Sequence, residues 1–356
     1  MATAPITTQS QIAGPVNVVF QQTLLRNAKA HCPYFAGTVP AEIAEHSGSF
    51  TAKWRRIENL TPVTSALSEL TGNVAFPTRA SVQPSVTDVT KAVSKYGNYI
   101  LLNEEVDVVN FNGQADKLTE LLGINAGQSL NRLQRDEVED NSTLRQASGA
   151  ANDAATTAKI SENDIKYCVN QLNRQSALKF TAQANGSGNF NTTPMRPAYM
   201  GICHVDVEED VRDLPSFKPV ETYASQTATF PNEFGAVRGV RFVCTEEASI
   251  NADAGGANAN LRGTTDPATN IDLYTTVIYG MDAIGSLGFG TSHIKESYQA
   301  GDKLPSVQVI NKARGSAGAA DPLNELATMG WKSWHGAKIL NSNWTIGIRS
   351  GASSLA

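Results

Sequence analysis

Charge is scarce in this sequence. Asp, Glu, Lys and Arg make up 18% of the residues, and 29 basic against 34 acidic side chains leave a formal net charge of −5. No long Lys/Arg run occurs, and a protein that tracks phosphates tightly carries a basic stripe, so a high-affinity nucleic-acid binder is disfavoured. Cysteine is equally sparse. Cys32, Cys168, Cys203 and Cys244 stand too far apart for a C-x-x-C motif, which points to free thiols in a reducing compartment. No stretch reaches the about 18 consecutive apolar residues of a membrane span, so no membrane partner is expected. The N-terminus has no basic segment followed by an apolar one, so no signal peptide is read. The Asn-x-Ser/Thr triplets at Asn59, Asn141, Asn185, Asn191 and Asn343 then reflect only abundant Ser and Thr.

Catalytic signatures are missing too. There is no H-E-x-x-H, no G-x-S-x-G and no ordered pair of metal-ligand couples, so no enzyme activity and no cofactor are expected. Gly285-Ser286-Leu287-Gly288-Phe289-Gly290-Thr291 has the glycine spacing of a phosphate loop, but Thr291 occupies the place of the lysine that reaches the phosphates. Cys203, His204 and Asp206 are the residue types of a thiol nucleophile, base and orienter. Neighbours in a strand point to opposite faces, so Cys203 and His204 cannot pair there. His31-Cys32 lacks a second ligand couple and reads as helix-end packing.

What the chain does have is length, polarity from Asn, Gln, Ser and Thr, and periodic segments. Its 356 residues suffice for a sizeable core and two or three subdomains. Residues 1–14 read as an extended arm and 15–30 as a short helix. From residue 49 the pattern turns β-like. Phe50, Ala52, Trp54 and Arg56 alternate with Thr51, Lys53, Arg55 and Ile57; a second strand covers about 85–95 and a third Tyr99-Ile100-Leu101-Leu102. Between the first two, residues 60–84 are broken by Pro62, Gly72, Pro77 and Pro84, which describes a projecting hairpin with edges open to a neighbouring chain.

The strongest helical pattern runs from 114 to 147, about 50 Å at 1.5 Å per residue. Leu118, Leu121, Leu122, Leu130 and Leu133 form its apolar face; Arg132, Arg135, Asp136, Glu137, Glu139 and Asp140 form a solvated one. Gly123 and Gly127 inside it suggest a bend or a close backbone contact. After a linker at 150–159, Ser161 caps a helix bearing Ile165, Val169 and Leu172. A Gly/Asn-rich loop follows at 185–193, then a buried strand at 199–205 and an acidic turn at 206–212. Strands at 237–244 and 273–279 flank 251–270, which reads as a floppy insertion too rich in Ala, Gly and Asn to pack. A strand at 306–312 leads to the last stretch. There Trp331, Trp334 and Trp344, three of only four tryptophans, sit on two β-segments expected to return on each other through Asn341-Ser342-Asn343 as a closing hairpin.

Short signatures in a fixed order carry a family resemblance. They are Leu67-Ser68-Glu69 with Gly72; Tyr96-Gly97-Asn98-Tyr99; Cys203-His204 with Asp206 and Val211-Arg212; and Glu233-Phe234-Gly235 with Gly239-Val240-Arg241-Phe242. Tyr274 through Gly280-Met281-Asp282-Ala283 follows, then Asp321-Pro322-Leu323 with Gly330-Trp331-Lys332 and Lys338-Ile339-Leu340. In these the chain resembles the major capsid proteins of tailed bacteriophages, of the N-four podovirus type. Val205 replaces the usual proline after the histidine, and the segment between Glu69 and Pro77 is longer than usual.

The resemblance implies an α+β, HK-ninety-seven-like capsid fold. On it, 1–48 is the N-terminal arm and 49–106 the extended β-hairpin loop. Residues 107–160 with 301–356 are the peripheral domain with its spine helix, and 161–300 the axial domain. It implies a late structural virion protein that self-assembles, through hexamers and pentamers, into an icosahedral shell around double-stranded DNA without reading its sequence. Portal, scaffolding and decoration proteins are the implied partners, and the host cytoplasm the place of assembly. A shell of the same fold enclosing cargo enzymes, as in encapsulins, is the alternative. Trp54, Arg55, Arg56, Glu69 and Gly72 are the candidate subunit contacts.

Overall fold

In the computed structural model of the protein, the described residues are 32–44, 48–58, 60–62, 64, 83–105, 114–180, 197–222, 232–290, 307–312, 314–316 and 322–354. The helix expected at 15–30, His31 and the loop at 185–193 lie outside them. In chain order the strands begin with β1 (Val39–Ala44), β2 (Thr51–Ile57), β3 (Val86–Ala92) and β4 (Ser94–Asn103), followed by helix α1 (Gln114–Asn141). Next come β5 (Thr143–Gln146), α2 (Glu162–Arg174), β6 (Tyr199–His204), α3 (Val205–Arg212), β7 (Lys218–Pro219), β8 (Glu233–Val237), β9 (Val240–Thr245) and β10 (Ile250–Asn251). The chain ends with β11 (Leu273–Tyr279), β12 (Ile284–Gly290), β13 (Val307–Lys312), β14 (Leu326–Ile339) and β15 (Thr345–Ser350).

The described strands form three sheets. An eight-stranded sheet runs β5-β15-β11-β6-β9-β8-β7, with β10 added on β11. It is buried on both faces. Ile165, Cys168 and Leu172 of α2 and Val207 and Val211 of α3 join the core on one side, with Tyr199, Phe242, Tyr274 and Ile278. Tyr34 and Val138 join that on the other, with Met200, Val243, Val277 and Tyr279. Double coverage explains why all seven residues of β11 are buried without alternation. Gly201 is needed between these layers, because an added Cβ would lie 2.9 Å from the Phe242 ring.

The five-stranded sheet runs β1-β12-β14-β13, with β4 also on β14. One face packs on α1: Leu118, Leu122, Ala126 and Leu130 meet Tyr96, Ile100, Leu102, Met329 and Trp331. The Trp331 indole donates to Asn125 Oδ1 at 3.1 Å. The third sheet is β2 with β3 alone.

Several local expectations are corrected. The long helix stops at Asn141, not 147, because 143–146 pairs with β15 as a parallel strand; its 28 residues span about 42 Å. Its apolar face excludes exposed Leu121, and its acidic face is not all solvated. Glu139 is buried, accepting from the Tyr34 hydroxyl at 2.5 Å and from Ser249, and burial raises its pKa. The Gly127 carbonyl accepts from the Cys32 thiol at 3.4 Å.

Residues 206–212 form helix α3 rather than a turn, capped by the His204 imidazole, which accepts from Asp206 N–H at 3.0 Å. Segment 251–270 packs. Leu261 is buried with Ile271 and Leu273, while Asp272 Oδ1 accepts from Asp253 N and Thr264 N. Carboxylate-to-backbone bonds supply the order that side-chain volume does not. The tryptophan hairpin is not a hairpin: β14 and β15 belong to different sheets. The connection carries the chain between them, with Leu340 N donating to Ala283 O and the Trp344 indole to Gln175 O.

Candidate subunit-contact surface

The β2–β3 pair is in strict antiparallel register, Trp54 opposite Val89 and Arg55 opposite Asp88. Alternation therefore divides the candidate residues between two faces. Ala52 and Trp54 pack onto the chain's own body, against Ile43, Val93, Leu287 and Trp334. Gly285 makes room, since a Cβ there would lie 3.1 Å from Trp54 Cζ2. The glycine that failed as part of a phosphate loop thus seats the hairpin. Arg56 shares that face and donates to the Leu340 carbonyl at 3.2 Å and to Glu58 at 2.8 Å. At the base, the Glu137 carboxylate of α1 takes Lys91 of β3 at 3.2 Å and Lys338 of β14 at 2.9 Å, tying arm, spine helix and sheet together.

The opposite face is bare. Arg55 is exposed and bonds Asp88 at 3.1 Å, beside Lys53 at 2.5 Å. Hydrogen bonds from Lys53 and Arg55 hold the Asp88 carboxyl below its ordinary range. On the same face Ile57 and Val86, directly across from each other, are 68% and 48% exposed. Two apolar side chains held opposite each other in solvent are costly for a lone chain. Of the five candidates, the structure therefore turns Trp54 and Arg56 inward and Arg55 outward; Glu69 and Gly72 lie outside the described residues.

A second bare patch sits on the five-stranded sheet. Tyr99 and Leu101 of β4 share the face away from α1 and are 67% and 55% exposed. Among the described residues, this ten-residue strand β4 pairs with β14 alone. The candidate set did not include Ile57, Val86, Tyr99 or Leu101. The signal was there in the alternation: the residues between those that pack inward are the exposed ones.

The residues weighed for chemistry are occupied elsewhere. The Cys203 thiol donates to Val243 O at 3.7 Å, while Asp206 accepts from Arg262 at 2.6 Å and from the Tyr274 hydroxyl at 2.9 Å. Burial, foremost, lowers the His204 pKa, and its Nδ1 is used as a helix cap, so no thiol–imidazole pair exists. Among the described residues no group of three or more His, Cys, Asp or Glu is placed to hold a metal ion, and no helix is long and apolar enough to cross a membrane.

Comparison with solved structures defines the fold class. The chain superposes on the capsid of Ralstonia phage GP4 with a TM-score of 0.62, at 11% identity, covering 91% of this chain and 89% of that one. It superposes on the head structure of Helicobacter pylori bacteriophage KHP40 with a TM-score of 0.51, at 12% identity, covering 91% of each. The capsid of Cyanophage P-SCSP1u gives 0.51 at 11% identity, covering 89% and 87%. The fold is that of phage capsid proteins, the α+β HK-ninety-seven type. No family model matches the chain. Among curated proteins it is 25% identical over 233 residues to the major capsid protein of Pseudomonas phage KPP21, covering 61% of this chain. The aligned part spans about half of that relative, 55% of its length.

Proposed function

We propose that this chain is the major coat protein of a tailed phage, self-assembling into the icosahedral head shell around double-stranded DNA. The observation that carries this reading is the β2–β3 arm on a capsid fold, seated on its own body by Trp54 and Arg56 and bare on its other face. Residues 1–48 serve as the N-terminal arm and 49–106 as the extended loop, although β4 of that span belongs to the body sheet. Residues 107–160 with 301–356 serve as the peripheral domain and 161–300 as the axial domain.

In the shell, the outer face of the arm (Ile57, Val86 and Arg55) lies on a neighbouring copy in hexamers and pentamers. Exposed ion pairs contribute about 0–1 kcal/mol each, so buried apolar area and strand-edge pairing supply most of the affinity. Each contact is modest, and a closed shell gains from every subunit being held at several points at once. The net charge of −5 suits a wall that encloses DNA without gripping it, with portal, scaffolding and decoration proteins as partners.

Electron microscopy of the purified protein, with nuclease digestion of particles before their contents are extracted, tests this. Closed shells protecting double-stranded DNA are expected from an infected host. Shells holding a protein cargo and no DNA point to the encapsulin reading, and no shells at any concentration or salt overturns both.

A further inference from the structure

Cys203 and Cys244 are direct neighbours across the parallel β6–β9 ladder, in the register Cys203↔Cys244. Paired residues of neighbouring strands present their side chains on the same face, and strands lie about 4.8 Å apart, inside the roughly 4.4–6.8 Å Cα window of a disulfide. Cys203 is fully buried in the larger core cluster, beside Cys244 in the ladder. Cys244 is only half-buried and opens onto a cavity of about 270 Å³, lined also by Pro33, Val205, Asn232, Glu246 and Glu247. One thiol is thus reachable from solvent and the other stands directly behind it. The remaining cysteines are placed differently. Cys168 is on the buried face of α2, and Cys32 donates to the α1 backbone.

We propose that Cys203 and Cys244 form a two-thiol modification site for small-molecule disulfides of the oxidised-glutathione class, which close them into a cross-strand bond. The Cys244 thiol gives its proton to solvent, and its sulfur attacks one sulfur of the oxidant, releasing one glutathione thiolate. Cys203 then gives its proton to solvent, and its sulfur attacks Cys244 Sγ, displacing the second thiolate. Two protein thiols are oxidised and one disulfide is reduced to two thiols. The second step is the slow one. The close Cys244 sulfur and burial hold the Cys203 pKa well up, so the attacking thiolate is scarce and the step speeds as pH rises.

The bond staples the sheet at a junction. Directly beyond Cys203 the chain turns into α3, and just beyond Cys244, Glu247 takes Arg132 of the spine helix at 2.5 Å. A protein that passes from a reducing cytoplasm to oxidising surroundings would acquire this staple after folding. The inference does not depend on whether the chain forms shells.

The test treats the folded full-length chain with oxidised glutathione, quenches it in acid, alkylates the free thiols and maps the peptides by mass. The expected product links the peptides of Cys203 and Cys244 with loss of two hydrogens. It forms faster at higher pH and also in the Cys32→Ala and Cys168→Ala variants, and it raises the melting temperature by several degrees. In Cys203→Ala, glutathione should instead remain on Cys244. A wild-type chain that keeps glutathione on Cys244 beside a free Cys203, links Cys244 to Cys32, or leaves both thiols alkylatable overturns the proposal.

Discussion

β11 and β2 are each seven residues long, yet all of β11 is buried while β2 alternates between exposed and half-buried positions. The difference lies in what surrounds them. β11 has strands on both edges and side-chain layers on both faces; β2 has one partner strand and one face against the body. A two-stranded sheet is marginal by itself in water, so β2–β3 relies on Trp54, Arg56 and the Glu137 ties for its position. The body covers its own apolar layers, whereas the arm leaves Ile57 and Val86 exposed.

The contrast breaks first in the body. The Phe242→Ala change removes a ring packed on Gly201 and should destabilise the chain by about 3–5 kcal/mol, read from the urea midpoint. A loss below about 1 kcal/mol would mean the eight-stranded sheet is not the stabilising unit.

At the junction of body and arm the effect is smaller and depends on pH. His335 of β14 is buried, and desolvation, with the Lys91 charge nearby, pushes its pKa down to about 4 from an ordinary 6.5. The unfolded chain binds the extra proton first, so the stability of the neutral ring is complete above 6.5 and declines as pH falls towards about 4. The loss across that window is on the order of 3 kcal/mol. The His335→Gln variant should show a flatter stability profile there; parallel profiles would show that His335 titrates normally.

The smallest stability effect belongs to the arm. Ile57→Ser combined with Val86→Ser should leave the isolated chain within about 0.5 kcal/mol of wild type while sharply lowering the yield of shells. A large loss of stability in the isolated chain would mean that this face is covered within its own subunit.

Much of this architecture was legible in residue order, and its failures share a cause. The arm strands, the spine helix, the Ser161 cap and the β11 run follow from local periodicity. Where β14 and β15 go depends on partners far away in sequence, so two tryptophan-bearing strands beside a polar bend read as a hairpin when each joins another sheet. Segment 251–270 reads as unable to pack because its large apolar content is only Leu261 in a small cluster, and Asp272 and Asp253 binding backbone and threonine groups supply the remaining order. The two faces of the arm were half legible: the alternation around Trp54 and Arg56 was visible, but which face turns inward is decided by Gly285 and Leu340, more than two hundred residues away.

The most direct test removes residues 61–84 and joins the arm strands through a short Asn-Gly turn, followed by sedimentation and electron microscopy. The account predicts a folded, single-chain species that forms no shells at concentrations where the wild type does. Normal shells from the shortened chain would contradict it.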